Sequence, residues 1–169
     1  MLTSTDSCGI VGLTLATLRE RCEVTLTDLL LAEEITRRNI TASTVAKTST
    51  VEFKVVDWDD EVPEDVLRPR GGYDLLVVAD CTYNVDAAPA LVKVLTAFMK
   101  SSPKALLVLA HKKRHDAEQA FFEMMTSFAV VDKTSVVIGT GDEVEEAGEV
   151  DLYTFKLKAD NAAAEVDCT

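Results

Sequence analysis

Apolar positions along the chain recur with two different periods. At residues 10–18 they are three and four apart, as on one face of a helix, and similar stripes predict helices over 30–40, 86–100 and 116–128. Other stretches are rich in apolar and β-branched residues, as strands are. They predict strands over 23–27, 51–58, 73–80, 104–112, 129–139 and 149–158. The runs at 73–80 and 104–112 are continuous, which is typical of parallel strands buried on both faces.

The order of these elements predicts the fold class. Strands and helices alternate for most of the chain, which indicates an α/β fold with a parallel sheet covered on both faces. The last two strands have no helix between them, so the sheet should end antiparallel. No internal repeat or shift in composition divides the chain. We therefore expect one domain over 1–158, followed by a patternless tail over 159–169 that frays.

Composition narrows the setting in which this domain works. No apolar run reaches the roughly 18–20 residues of a membrane span, and no secretory signal opens the chain. The four cysteines are scattered without CxxC spacing, so they indicate neither a zinc site nor a disulfide framework. We expect a monomeric protein of a reducing compartment, the cytoplasm or else the nucleus, with no metal and no membrane partner.

Net charge bears on the kind of partner. The formal net charge is −12, which would repel a nucleic acid. A basic protein substrate fits better, because complementary charge speeds encounter. The alternative is that the acidity serves only solubility, since it is spread along the chain and partly carried by the tail.

Polar residues follow several predicted strands, at the edge where open α/β sheets bind their ligands. Gly9 lies in a turn of small residues that leads into the first helix, and Asp28 closes the next strand 19 residues later. An acidic residue about 20 positions after a glycine turn can accept hydrogen bonds from ribose hydroxyls. The pair indicates an adenosine-type cofactor, and the alternative for Asp28 is a helix N-cap.

Two further strand ends carry candidate side chains. Asp57 and Trp58 close the strand at 51–58, where an indole can lie near an adenine and a carboxylate can accept from an amine. The alternative for Trp58 is a half-buried side chain in a loop. Asp80 and Tyr83 are three apart after the next strand. Together they can hold a substrate amine by a charge-assisted hydrogen bond and an aromatic contact. The alternative is a turn that caps the following helix.

A basic cluster follows the strand at 104–112. His111 and His115 are four apart with no third candidate ligand, so we interpret the cluster as a solvated turn. The chain has no Gly-x-x-x-x-Gly-Lys-Ser/Thr loop and no Gly-x-Ser-x-Gly elbow. These absences argue against a P-loop nucleotidase and against a hydrolase of the second kind.

Six segments, in order, resemble one known family. They are DSCGIVGLTLA, VTLTDL, RRNI, VVDWDD, DLLVVADCTYNVDAAPALVKVL and VLAHKKRHDAEQAFF. As an ordered set, from about Ser7 to Lys158, they resemble the seven-β-strand S-adenosylmethionine methyltransferases. Within these they look like the methyltransferase-like branch that contains many protein-lysine N-methyltransferases.

The resemblance implies a Rossmann-like sheet in the strand order 3-2-1-4-5-7-6, with strand 7 antiparallel. It also implies S-adenosyl-L-methionine as the cofactor. Gly9 would approach the methionine part of that cofactor, and Asp28 would take the ribose hydroxyls. Asp57 and Trp58 would lie near the adenine.

The resemblance places Asp80 and Tyr83 at the mouth where the accepting nitrogen arrives, with Asp80 also lining the cofactor site. The implied reaction is methyl transfer to a lysine side chain of a protein substrate, with no metal. Two alternatives remain at this point. The acceptor could be a small amine, or a histidine or arginine side chain. The chain could instead be an inactive interaction module on the same fold.

The start of the chain departs from the family pattern. The family's loop usually reads Glu-Leu-Gly-x-Gly-x-Gly after an apolar first strand, whereas residues 4–9 here read Ser-Thr-Asp-Ser-Cys-Gly. Residues 1–8 look too short and too polar to fill a central strand position. We therefore expect an N-terminally shortened chain with its first strand missing. The strands that end at Asp28 and Asp80 should then leave a gap in the sheet between them, or pair with something improvised. With half of the glycine loop absent, we also expect weak cofactor binding.

Overall fold

Seven strands and five α-helices alternate in the part of the chain that the computed structural model describes, residues 2–5, 8–69, 71–82, 84–112, 119–138 and 148–159. The strands are β1 (Leu2–Thr5), β2 (Glu23–Asp28), β3 (Thr50–Val55), β4 (Leu75–Ala79), β5 (Leu106–His111), β6 (Ala129–Ile138) and β7 (Gly148–Leu157). The helices are α1 (Ile10–Leu18), α2 (Glu33–Ala42), α3 (Glu64–Leu67), α4 (Ala88–Ser101) and α5 (Gln119–Phe128).

The strands form one sheet in the order β3-β2-β1-β4-β5-β7-β6. Neighbouring strands from β3 to β5 are parallel, and β7 runs antiparallel to both β5 and β6. This arrangement confirms the α/β class, the strand order and the antiparallel ending.

The centre of the sheet is occupied by β1, so the expected gap and the expected absence of a first strand were wrong. The alternative of an improvised pairing fits better, because the strand in this position has only four residues, two of them threonines and one a serine. Thr3 of β1 pairs in parallel with Leu26 of β2 on one side and with Val77 of β4 on the other. The gap was expected because this stretch is short and its residues are mostly polar. Backbone hydrogen bonds on both sides hold a strand in a parallel sheet, and threonine favours the extended conformation because its side chain is β-branched.

Two hydrophobic clusters cover opposite faces of the sheet. The smaller one packs α1 against β2 and β3 and contains Leu13, Ala16, Val24, Leu26 and Phe53. The larger one packs α3, α4 and α5 against β4, β5 and β7. Register shows that the faces differ: Leu26 and Val77 both pair with Thr3, whereas Leu76 and Val78 of the larger cluster point the other way.

The helix α4 shows how the sequence pattern builds the larger cluster. Its apolar residues recur at three- and four-residue spacing, and Pro89 lies in its first turn, where a missing N–H costs nothing. The residues buried on this stripe are Leu91, Val94, Leu95, Phe98 and Met99. Each such side chain stabilises the fold by roughly 1.5–3 kcal/mol on burial.

Two local expectations need correction. The helix expected over 30–40 begins as a 3₁₀ turn at Leu30–Ala32 and becomes α2 only at Glu33. The segment between β3 and β4, for which no helix was predicted, contains the short helix α3. None of the helices in the described ranges is long and apolar enough to cross a membrane.

Candidate active site

The carboxyl ends of the parallel strands bring the predicted residues to one edge of the sheet. Asp57 follows β3, Asp28 ends β2, Gly9 follows β1 and Asp80 follows β4, and the strand order arranges them along the edge in that sequence. The helices after β1 and β2 pack on one face, whereas those after β4 and β5 pack on the other. The crevice between β1 and β4 is therefore a topological switch point, where such sheets bind ligands. Tyr83 lies outside the described residues.

The turn between β1 and α1 depends on a glycine. Cys8 and Gly9 both have positive φ, 48° and 87°, and Gly9 is the N-cap residue of α1 without a side-chain cap. A Cβ on Gly9 would lie 2.6 Å from Leu26 Cδ1, closer than real contacts allow. The absence of a side chain therefore lets this turn pack closely on β2.

The helix α2 supports the same turn from outside. Asn39 Nδ2 donates a hydrogen bond of 3.1 Å to the carbonyl of Cys8, and the methyl of Thr36 lies 3.5 Å from the Cβ position at Gly9. The hydroxyl of Thr36 is buried and has no hydrogen-bond partner among the residues that the structure describes. Sequence analysis assigned no role to these two residues, although their i, i+3 spacing places them on one face of α2.

Asp28 links the ends of β2 and β3. Its carbonyl accepts a 2.9 Å hydrogen bond from the Val56 N–H, which brings Asp57 beside it. Its carboxylate Oδ1 accepts a 2.7 Å hydrogen bond from the Leu29 N–H. The N-cap alternative was wrong, because the N-cap residues here are Leu29 and Ala32 and neither makes a side-chain capping bond.

Asp57 and Trp58 begin a loop that is tied to the protein at several points. The Asp57 carboxylate accepts a hydrogen bond of 3.1 Å from the Asp59 N–H. Lys93 of α4 donates to the carbonyls of Asp59 and Asp60 at 3.1 and 3.0 Å. Trp58 is half-buried and packs against the larger cluster, as its alternative interpretation expected. Its contact with an adenine stays a prediction.

Asp80 has an unusual backbone at the end of β4. Its φ is 54°, in the left-handed region, and its N–H donates to the Ala110 carbonyl at 3.0 Å. The capping alternative was wrong, because α4 starts eight residues later with Ala87 as its N-cap and no side-chain capping bond. The two residues after Asp80 are buried, with exposed fractions of 3% for Cys81 and 5% for Thr82.

His111 does not lie in a solvated turn, which corrects the interpretation of the basic cluster. It is the last residue of β5, only 3% exposed, and its Nδ1 lies 2.7 Å from Thr82 Oγ1. The signal was present in the sequence, since Leu107, Leu109 and His111 alternate along one face of the strand. Lys112 is exposed, and residues 113–118 lie outside the described ranges.

An open groove of about 480 Å³ lies between α1 and α2. Its lining residues are Cys8, Ile10, Leu13, Thr14, Thr17, Leu18, Asn39, Ala42 and Ser43. Cys8 of the glycine turn is among them but none of the strand-end aspartates is, so this groove adjoins the turn on the side of α2 and does not contain the predicted aspartates.

Comparisons with known proteins agree with this geometry. The model of a family described as lysine methyltransferase matches residues 6–128. A UPF0665 family protein of Schizosaccharomyces pombe is 29% identical over 154 residues, covering 90% of this chain and 42% of that protein. The protein N-lysine methyltransferase METTL21A of Danio rerio is 29% identical over 124 residues, covering 72% of this chain and 54% of that protein. The chain thus spans about half of the length of these relatives.

A solved structure gives the same fold. The S-adenosylmethionine-dependent methyltransferase of Methanosarcina mazei superimposes with a TM-score of 0.64 at 14% identity, covering 92% of this chain and 91% of that one. At this identity the likeness shows the fold alone. The family match covers most of the chain, and by it the protein belongs to the lysine methyltransferase family, whose cofactor is S-adenosylmethionine.

Proposed function

We propose that this chain transfers a methyl group from S-adenosylmethionine to the side-chain nitrogen of a lysine in a protein substrate. The observation that carries the proposal is the pairing, across the switch point, of a glycine turn after β1 with a left-handed aspartate after β4. The first is suited to a cofactor and the second to an amine. Membership in the lysine methyltransferase family supports the same reaction.

The residues at the edge fit the cofactor. Gly9 packs its turn closely on β2, where a Cβ would lie only 2.6 Å from Leu26 Cδ1, and so holds the backbone after β1 at the edge where the methionine part of the cofactor would lie. Asp28 provides a carboxylate at the end of β2 that can accept from ribose hydroxyls. Asp57 and Trp58 follow on the next strand for the adenine. When bound, the cofactor supplies a methyl carbon that its sulfonium has already activated.

The protein's own contribution is to hold and orient the amine. The Asp80 carboxylate can accept a hydrogen bond from the lysine nitrogen, and we assign Tyr83 the role of an aromatic contact beside it. The nitrogen must arrive without its extra proton, because its lone pair forms the new bond to carbon. Positioning two bound groups in this way lowers the entropic part of the barrier.

The surface near the site suits a macromolecular acceptor. Leu29, Leu30 and Leu31 directly follow Asp28 and are exposed to 45%, 65% and 94%. Contiguous exposed apolar side chains are a feature of surfaces that bind other proteins. The net charge of −12 favours a basic, lysine-bearing partner.

The experiment that tests the function uses tritiated S-adenosylmethionine, the purified chain and a cell lysate. We expect label in protein, and mass spectrometry should place the methyl group on a lysine. Label on histidine, on arginine or on a small amine would replace the acceptor in this proposal. Cofactor binding or folding without any transfer would indicate an interaction module instead.

We expect this chain to bind S-adenosylmethionine weakly. The family's loop has three glycines, whereas the matching stretch here has only Gly9, so less of its backbone can approach the cofactor closely. Isothermal calorimetry should give a dissociation constant well above the low micromolar range. Asp28→Ala should weaken binding further, by about tenfold, since a hydrogen bond to a charged group contributes roughly 1.5–3 kcal/mol. A low-micromolar constant for the wild type would contradict this prediction.

Asp80→Ala should lower turnover at saturating cofactor by at least about tenfold. The physical reason is the loss of one charge-assisted hydrogen bond, worth roughly 1.5–3 kcal/mol, to the amine. Cofactor affinity should change less, because Asp28 and the glycine turn carry most of it. Single-turnover rates and melting temperatures on purified variants measure the two effects separately.

Asp80→Asn is the matched control for this prediction. Asparagine tolerates the left-handed backbone as aspartate does, so the variant removes the charge and keeps the turn. It should be as slow as Asp80→Ala and as stable as the wild type. Turnover at the wild-type rate in Asp80→Asn would remove the carboxylate from the site. Tyr83→Phe should be milder if the ring matters more than the hydroxyl.

A further inference from the structure

A buried polar pair joins the segment after β4 to the end of β5. Thr82 Oγ1 and His111 Nδ1 are 2.7 Å apart and share a hydrogen bond. The two residues are 5% and 3% exposed. Polar side chains that are buried to this extent destabilise the fold unless they form hydrogen bonds, as these two do with each other. Their contact is therefore a specific feature of this part of the protein.

A backbone hydrogen bond also ties these two segments together. The Asp80 N–H donates to the carbonyl of Ala110, the residue before His111, at 3.0 Å. Between the two ties the chain turns through the left-handed conformation of Asp80, and Cys81 is buried with its Sγ 3.3 Å from the Ala79 carbonyl. The position of Asp80 is thus bracketed by a backbone bond at its own nitrogen and a side-chain bond two residues later.

The imidazole of His111 is itself held in place by two elements. The ring of Phe122 on α5 meets it edge-on at 5.3 Å and 76°, and the ring of Tyr153 on β7 meets it at 6.1 Å and 62°. Asp151 is its antiparallel partner on β7 and is fixed by Lys133 at 2.7 Å. That ammonium lowers the pKa of the Asp151 carboxyl, so a charged carboxylate stays beside the strand end.

We propose that His111 is a positioning residue for methyl transfer, because its hydrogen bond to Thr82 sets where Asp80 stands at the acceptor side. This role rests on the proposed function. His111 lies behind the segment, buried among α5 and β7, and acts through Thr82 rather than on the substrate. The orientation of the amine then depends on a contact one layer beneath the site.

Two substitutions at Thr82 separate this role from simple packing. Thr82→Val keeps the shape of the side chain and removes the hydroxyl, whereas Thr82→Ser keeps the hydroxyl and removes the methyl. The assay is single-turnover transfer from saturating tritiated S-adenosylmethionine to the lysate protein that the wild type labels most strongly. We expect Thr82→Val to be about tenfold slower and Thr82→Ser to stay within about threefold of the wild type. Cofactor dissociation constants should agree within about twofold.

A packing role gives the opposite order. If shape alone matters, Thr82→Val should transfer at the wild-type rate and Thr82→Ser should lose more in rate or in melting temperature. That result would overturn the proposal. Equal losses in rate for both variants, with melting temperatures lowered in parallel, would overturn it as well.

A second measurement keeps the positioning role testable if the wild type transfers no methyl group, an outcome that would count against the proposed function alone. Nuclear magnetic resonance of ¹⁵N-labelled protein reports the His111 ring nitrogens and the amide of Asp80 directly. We expect Thr82→Val to shift both sets of signals and Thr82→Ser to leave them near the wild-type positions. Unchanged signals in Thr82→Val would show that the pair positions nothing.

Discussion

Replacing Thr3 by proline should strongly destabilise the protein. Thr3 lies in the middle of the sheet, paired with Leu26 on one side and Val77 on the other. Proline has no N–H, so one neighbouring strand loses a ladder hydrogen bond and keeps a buried carbonyl without a partner. The loss is about 3 kcal/mol or more, a large part of the 5–15 kcal/mol that stabilises a typical domain. Circular dichroism and urea unfolding measure it.

The edge strand β6 offers matched controls for this substitution. Val136 and Val137 are adjacent and exposed, and β6 pairs with β7 alone. In an antiparallel edge strand the N–H groups of adjacent residues point alternately toward the partner and away from it. One of these two N–H groups therefore makes no hydrogen bond to β7. The proline variant at that position, Val136→Pro or Val137→Pro, should lose little stability. A Thr3→Pro variant with the wild-type urea midpoint would show that β1 does not hold the central position.

Gly9→Ala should destabilise the fold by about 3 kcal/mol and abolish cofactor binding. An alanine at φ 87° is strained by roughly 1–2 kcal/mol. Its Cβ would also lie 2.6 Å from Leu26 Cδ1, and Leu26 is 1% exposed, so the core must shift to admit it. Overpacking of this kind costs roughly 1–3 kcal/mol. The free energy of unfolding in urea gives the first effect, and calorimetry with S-adenosylmethionine gives the second.

Gly71→Ala is the matched control, because it carries the strain without the clash. Gly71 has a φ of 89°, and a Cβ there would meet nothing within 4 Å in the described part of the chain. It should cost about 1 kcal/mol, from the backbone alone. The difference between the two variants isolates the close packing of the glycine turn on β2. Equal costs at Gly9 and Gly71 would mean that Leu26 moves aside freely.

Much of the fold could be predicted from periodicity. The continuous runs at β4 and β5 and the stripe along α4 carry strong signals, because burial on two faces or on one helix face leaves a regular pattern. The strand order came from resemblance rather than from pattern. The strand order in the structure is the one that this resemblance, carried by six segments, implies.

The central strand could not be predicted in the same way. Four residues with two threonines and a serine show no period, and their place in the sheet depends on partners 23 and 74 residues away, as Leu2 shows with Thr25 and Leu76. Pairing between residues this far apart in the sequence produces no pattern within the strand itself.

At the candidate site, the residues at the strand ends could be predicted from the sequence, whereas the residues that hold them in place could not. Asp28, Asp57 and Asp80 stand out because each follows a recognisable strand. Asn39 and His111 contact the site from α2 and from the buried side of β5. Their roles appear only when two elements distant in sequence are brought together.

The left-handed backbone conformation of Asp80 has a consequence for how the sequence of this domain evolves. An aspartate held at φ 54° is less stable there than glycine, by roughly 1 kcal/mol. If Asp80 serves methyl transfer as proposed, a copy of the domain that no longer performs the reaction can exchange Asp80 for glycine, which adopts this backbone conformation without strain. In a set of related sequences, the residue at this one position should then separate lineages that still turn over substrate from those that keep only the scaffold.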